Sequence, residues 1–175
     1  LHSSGGEWKV SRQRLRWDVL EAVQEGAKEF GIEPTSDFNS GTNEGSGFFE
    51  VNQKNGVRWN TSKAFLRPVM QRKNLKVMTQ SHTRRVILDG KRATGVEFEH
   101  NGRVVKATAA AEVILAAGAI NSPKLLELSG IGQADRLSDL GITPLHELQG
   151  VGENLQDHLQ IRTVFKVAGA KTLNE

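Results

Sequence analysis

The residues best placed to do chemistry lie in one run, Val113–Gly132, and what they offer is backbone rather than side chain. Ala116, Ala117 and Gly118 are small, so a ligand can lie close to the main chain there. Val113, Ile114 and Leu115 before them read as a short buried strand, apolar on both faces. After them, Asn121 or Ser122 is placed to cap a helix, Pro123 suits its first position, and Gly130 can end it. A small-residue turn between strand and helix is where α/β proteins hold anionic cofactors, because unpaired N–H groups converge there.

Other candidates are weaker. The histidines are His2, His82, His100, His146 and His158; none stands at metal-ligand spacing with another, and the chain has no cysteine. Asp157 and His158 are adjacent, which builds no triad without further partners. Ser129 is not on a nucleophile elbow, since Glu127 stands where that motif needs glycine. Gly150-Val151-Gly152-Glu153-Asn154-Leu155 resembles a dinucleotide loop but has Leu155 in place of the third glycine. Arg58-Trp59-Asn60-Thr61 reads as the ordered entry to a short helix, with Trp59 as anchor and Asn60 or Thr61 as cap.

Bulk properties narrow the class. At 175 residues, 37% hydrophobic and 25% charged, the chain suits one ordinary domain or parts of two, and the composition argues against disorder. No apolar stretch is long enough to cross a bilayer, and no signal peptide pattern is visible, so a cytoplasmic or peripherally membrane-associated protein is expected. The chain starts at Leu1, which points to a piece of a longer protein. Net charge is +3, yet Lys54–Arg92 holds 11 basic residues against Asp89 alone. That leaves 12 basic and 19 acidic residues elsewhere. The basic residues alternate with apolar ones and read as solvated faces, and only Trp59 and Phe65 could stack bases, so no nucleic-acid partner is expected.

The elements that must position these residues follow from periodicity. Trp8–Val10 reads as a weak strand, and Trp17–Phe30 as an amphipathic helix ended by Gly31. Residues 31–46 read as a loop, Phe48–Asn52 as a strand, and Thr61–Arg67 as a helix stopped near Pro68. Leu75–Thr79 has strand alternation. Arg84–Leu88, Ala93–His100 and Arg103–Ala109 form an expected three-stranded antiparallel meander, turning at Asp89-Gly90 and Asn101-Gly102. Gln133–Leu140 reads as a helix closed by Gly141, with strands at Ile142–Leu148 and Gln160–Val167.

Three stretches carry a family resemblance. Gly118-Ala119-Ile120-Asn121-Ser122-Pro123, Leu125-Leu126 and Ser129-Gly130-Ile131-Gly132 form the first. Gly56–Thr61 with Ala64–Pro68 and Asn74–Val77 form the second, and Gly150–His158 the third. In this order, from about Asp37 to His158, they resemble the glucose–methanol–choline (GMC) oxidoreductases, flavoenzymes that oxidise alcohols with FAD. Glu127 departs from the apolar residue usual there, which is harmless if it faces solvent.

The resemblance implies an α/β (α+β fragment) fold. Part of an FAD-binding domain of the two-dinucleotide-binding type carries the meander, beside part of an antiparallel-sheet substrate domain. It divides the chain into residues 1–72 in the substrate domain, 73–149 in the FAD domain, and 150–175 returning to the substrate domain. It implies FAD contacts at Ala116, Ala117 and Gly118. It also implies an adenine contact through the backbone of Thr83, where valine is commoner, and a loop ordered near the cofactor by Asn154 and Asp157.

The family's opening Gly-x-Gly-x-x-Gly loop and its late His pair are not in these residues, so no residue here is expected to be catalytic. The resemblance implies hydride transfer from a small-molecule alcohol to flavin in the intact enzyme, and an inactive segment that binds FAD weakly or not at all. The other reading is a non-catalytic interaction module from the same family, prone to self-association through unfinished sheets. A nicotinamide-dependent Rossmann enzyme is disfavoured by the missing fingerprint.

Overall fold

A computed structural model describes residues 3–172. The chain divides into two compact units. One is built on the residues up to Lys76 with the stretch from Arg162, and the other is Val77–Ile161.

The first unit contains helix α1 (Asp18–Glu29). Asp18 and Glu21 in its first turn and Lys28 in its last complement the helix dipole. At its end Gly31 N–H donates to the Lys28 carbonyl and Ile32 N–H to that of Ala27, a Schellman closure. The expected apolar face is not buried: Val23 is 57% and Phe30 85% exposed. Strands β1 (Gln53–Lys54) and β2 (Val57–Arg58) form a hairpin around Asn55-Gly56. Both turn residues have positive φ, as a type I′ turn requires. Trp59 Nε1 donates to the Glu7 carbonyl at 2.9 Å, and Asn60 Oδ1 accepts Lys63 N–H at 3.0 Å, so the entry to the next helical run is anchored and capped. That run is a π-helical turn (Ser62–Leu66) continuing as a 3₁₀ turn (Arg67–Val69). Pro68 does not stop it: it stands in the first positions of the 3₁₀ turn, where its fixed φ is compatible with the helical backbone.

The second unit is built on the meander of β3 (Ser81–Asp89), β4 (Arg92–His100) and β5 (Arg103–Thr108), antiparallel and in that order. The first turn centres on Gly90-Lys91, one residue beyond the expected pair, because Asp89 still pairs with Arg92. The second is Asn101-Gly102, again with both φ positive. Val86 and Phe98 are buried on the inward face. The outward face carries the cross-strand series Arg85–Glu97–Lys106. A register shift between Thr83 and Arg85 leaves Arg84 as an extra residue on β3.

Helix α2 (Gly118–Leu128) packs against β3. Strand β6 (Ile131–Gly132), helix α3 (Ala134–Asp139) and strand β7 (His146–Glu147) follow, and β6 pairs with β7 in parallel. Parallel strands need a crossover, and α3 supplies a very short one, seating the fully buried Leu137 beneath it.

Several expected strands are not formed. Residues 8–10, 48–52, 75–79, 113–115 and 160–167 belong to no ladder, apart from single bridges of Ser11 with Val51. Alternation identifies a backbone that would be extended; it does not provide the neighbour whose N–H and C=O groups define a strand. Ile114 is 77% exposed rather than buried, and Leu159 and Val164 are each 93% exposed. Helix α2 also begins more than a turn before the expected start, so Pro123 lies inside it. The Ser122 hydroxyl accepts the Ala117 N–H at 3.0 Å and fixes the early start.

Candidate functional site

The small-residue turn and the meander meet in the second unit. Strand β3 is the outer strand of its sheet, so its far edge has no strand partner. Helix α2 runs along that edge, leaving two open clefts. One, of about 540 Å³, is bounded by Thr83 and Arg84 on β3 and by Ala117, Asn121, Lys124 and Leu125. The other, of about 470 Å³, shares Thr83, Ala117 and Leu125 and adds Ala116 and Val113–Leu115. Thr83 is therefore brought together with Ala116 and Ala117 from two separate stretches of sequence.

Gly118 is the first residue of α2. Its φ is +89°, and a Cβ built there would meet nothing within 4 Å. Glycine is required by the backbone conformation and not by crowding. Asn154 lies apart from this group. It sits in the loop Gly150–Gln156, on a separate cleft of about 830 Å³ between that loop and Ile120, Pro123 and Glu127 of α2. Asn154 adopts positive φ (57°), and Asp157 Oδ1 accepts the N–H of His158. Both observations describe a loop that turns on its own local bonds. Val151 is buried and anchors it.

Glu127 does not face solvent. Its side chain is 17% exposed and pairs with Arg136 Nε at 3.4 Å, within the same cleft. Glu153, which also lines it, accepts Gln133 Nε2 at 2.8 Å. The perturbed titrations lie elsewhere, on the outward face of the meander. There hydrogen bonds from Arg85 hold the Glu97 carboxyl below its ordinary value; partial burial opposes this, and the charges of Arg85, Lys106 and Arg84 add to it. Arg85 is correspondingly raised by that bond and by the charge of Glu97.

One pair that sequence reading missed is Ser81 Oγ with His100 Nδ1, at 2.9 Å. The Ser81 hydroxyl also lies 3.1 Å from the Thr79 carbonyl, to which it can donate. Among the described residues no group of three His, Asp or Glu could hold a metal ion.

The sequence model for GMC oxidoreductase matches residues 6–160. The chain belongs to the GMC oxidoreductase family. Among relatives, this GMC chain is 39% identical over 173 residues to an alcohol dehydrogenase [acceptor] of Pseudomonas putida, covering 98% of the chain and 31% of the relative. It is 44% identical over 156 residues to the mitochondrial choline dehydrogenase of Homo sapiens, covering 89% and 26%. The crystal structure of pyridoxine 4-oxidase from Mesorbium loti superposes with a TM-score of 0.84 at 32% identity, covering 90% of this chain and 31% of that one. An FAD-dependent oxidoreductase from Chaetomium thermophilum gives 0.82 at 28%, covering 87% and 27%. The chain thus spans under a third of the length of these relatives. Its α/β architecture with a three-stranded meander is that of its GMC structural neighbours.

Proposed function

We propose that this chain is part of an FAD-dependent oxidoreductase acting on the CH–OH group of a small-molecule alcohol, and that β3 and the Ala116–Gly118 turn wall the adenine end of the cofactor. The convergence of Thr83, Ala116 and Ala117 on clefts sharing one border carries this reading. The residues suit the group. The free edge of β3 offers backbone donors and acceptors beside Thr83, as the planar, hydrogen-bonding edge of a purine needs. Ala116 and Ala117 leave room against the main chain, and Gly118 opens α2 with empty space where a side chain would stand.

In this reading Thr83 binds through its backbone, Ala116–Gly118 permit close approach, and Asn154 orders the Gly150–Gln156 loop on the other side of α2. FAD, when bound, supplies the hydride acceptor. The group that takes the alcohol proton is placed outside these residues. Residues 1–72 and 150–175 are assigned to the substrate domain and 73–149 to the cofactor domain; of these, residues 1–2 and 173–175 lie outside the described residues. The 175-residue chain alone is expected to turn over no alcohol, and flavin-dependent oxidation by it would overturn that assignment. In the full-length protein, Gly118→Trp is expected to purify without flavin, measured by absorbance. Full flavin content in that variant would remove the turn from the site.

A further inference from the structure

We propose that Ser129 is a positioning residue for this cleft: its hydroxyl sets the distance between β3 and α2, and so the affinity for the adenine end of the cofactor. The inference rests on the reading above. Ser129 is 4% exposed, and no other polar residue among those described is as deeply buried. Its Oγ accepts the N–H of Val86 at 2.8 Å and donates its own proton to the Leu125 carbonyl. Val86 stands three positions from Thr83 on the same strand, on the edge that no other strand covers. Leu125 borders both clefts that Thr83 borders. One hydroxyl therefore ties the strand that forms one wall to the helix residue that forms the other.

The tie continues to the far end of the helix. There the Ser122 hydroxyl accepts the N–H of Ala117, so the turn is fixed to α2 as α2 is fixed to β3. Both ties are made to α2, whose Gly118–Leu128 span includes Pro123. If the Ser129 hydroxyl is removed, the Val86 N–H is left buried without an acceptor, and it can recover one only by moving β3 or by admitting water. Either change alters the spacing across the cleft while leaving every ligand-facing atom in place.

The test uses the full-length gene product and its flavin-free form. FAD affinity is read by flavin fluorescence, ADP serves as a probe of the adenine end alone, and melting of the flavin-free protein reports stability. Ser129→Ala is expected to weaken FAD and ADP at least tenfold at a temperature where the protein is fully folded, and Ser129→Thr, which keeps the hydroxyl, to recover most of that loss. Leu137→Val, buried under α3 and remote from the cleft, controls for stability and should bind normally. If Ser129→Ala does not fold, Ser129→Cys keeps the volume with a weaker acceptor and should show the same loss relative to Ser129→Thr. Unchanged affinity in the Ala or Cys variant, with only the melting temperature lowered, would overturn the positioning role and leave the proposed function standing. A parent protein that binds neither FAD nor ADP would overturn both.

Discussion

Gly118 and Gly130 look alike in sequence, flanking one helix, and both adopt left-handed φ, +89° and +80°. Their surroundings differ. A Cβ on Gly118 meets nothing, whereas one on Gly130 would lie 2.7 Å from the Thr143 carbonyl and 2.9 Å from Leu145 Cγ. Gly118→Ala is therefore expected to cost about 1 kcal/mol in backbone strain. Gly130→Ala should cost about 3 kcal/mol, since overpacking adds to the strain. Urea unfolding of the two variants checks the order, and equal midpoints would refute it. Glu97 gives a prediction in pH. Its native pKa is depressed, so its contribution to stability is complete above the ordinary carboxylate range and is lost as pH falls through the native value. Melting curves between pH 7 and acid should fall less steeply for Glu97→Gln than for the parent. Parallel curves would show that the Arg85 pair adds nothing in solvent. At this scale the sequence was legible for Ala116–Gly118, whose small size is itself the signal. It was not legible for Ser129 or for the Ser81–His100 pair, because each works through a partner 19 or more positions away. The clue in the sequence is a serine four residues after Leu125, at the end of the helix.

The elements separate by whether their partners are local. The meander was readable because Asp89-Gly90 and Asn101-Gly102 announce turns and the strands they join are neighbours in sequence. The hairpin at Asn55-Gly56 carries the Asn-Gly dipeptide too, but its strands are only two residues long and leave no alternation to read. The start of α2 is not where Pro123 suggests, because the deciding bond runs from the Ala117 N–H to the Ser122 hydroxyl five residues on. The expected strands at 75–79 and 113–115 failed for want of a ladder neighbour. Leu137 makes the crossover testable. It is fully buried between α3 and the β6–β7 pair, and Leu137→Ala should cost about 2–5 kcal/mol. Calorimetry of that variant should show a lower transition, and an unchanged one would mean that α3 does not support the second unit.

For the molecule as a whole, the chain spans under a third of its relatives' length and shows much uncovered apolar surface. Leu159, Ile161 and Val164 are each at least 84% exposed, and Phe30 and Ile114 more than three quarters. Such surface is normally covered in a folded monomer. The isolated 175-residue chain is expected to self-associate, with light scattering giving a mass that rises with concentration. A monodisperse monomer at high concentration would refute this.

The meander also fixes an order of events during synthesis. Hairpins close in roughly 1–10 μs, whereas a ribosome adds roughly 5–20 residues per second. The 20 positions from Thr108 at the end of β5 to Leu128 at the end of α2 take roughly 1–4 s at that rate. The sheet is thus assembled while its β3 edge still waits for α2. During that interval the Val86 N–H faces water or another nascent chain, and arrival of the Ser129 hydroxyl closes it.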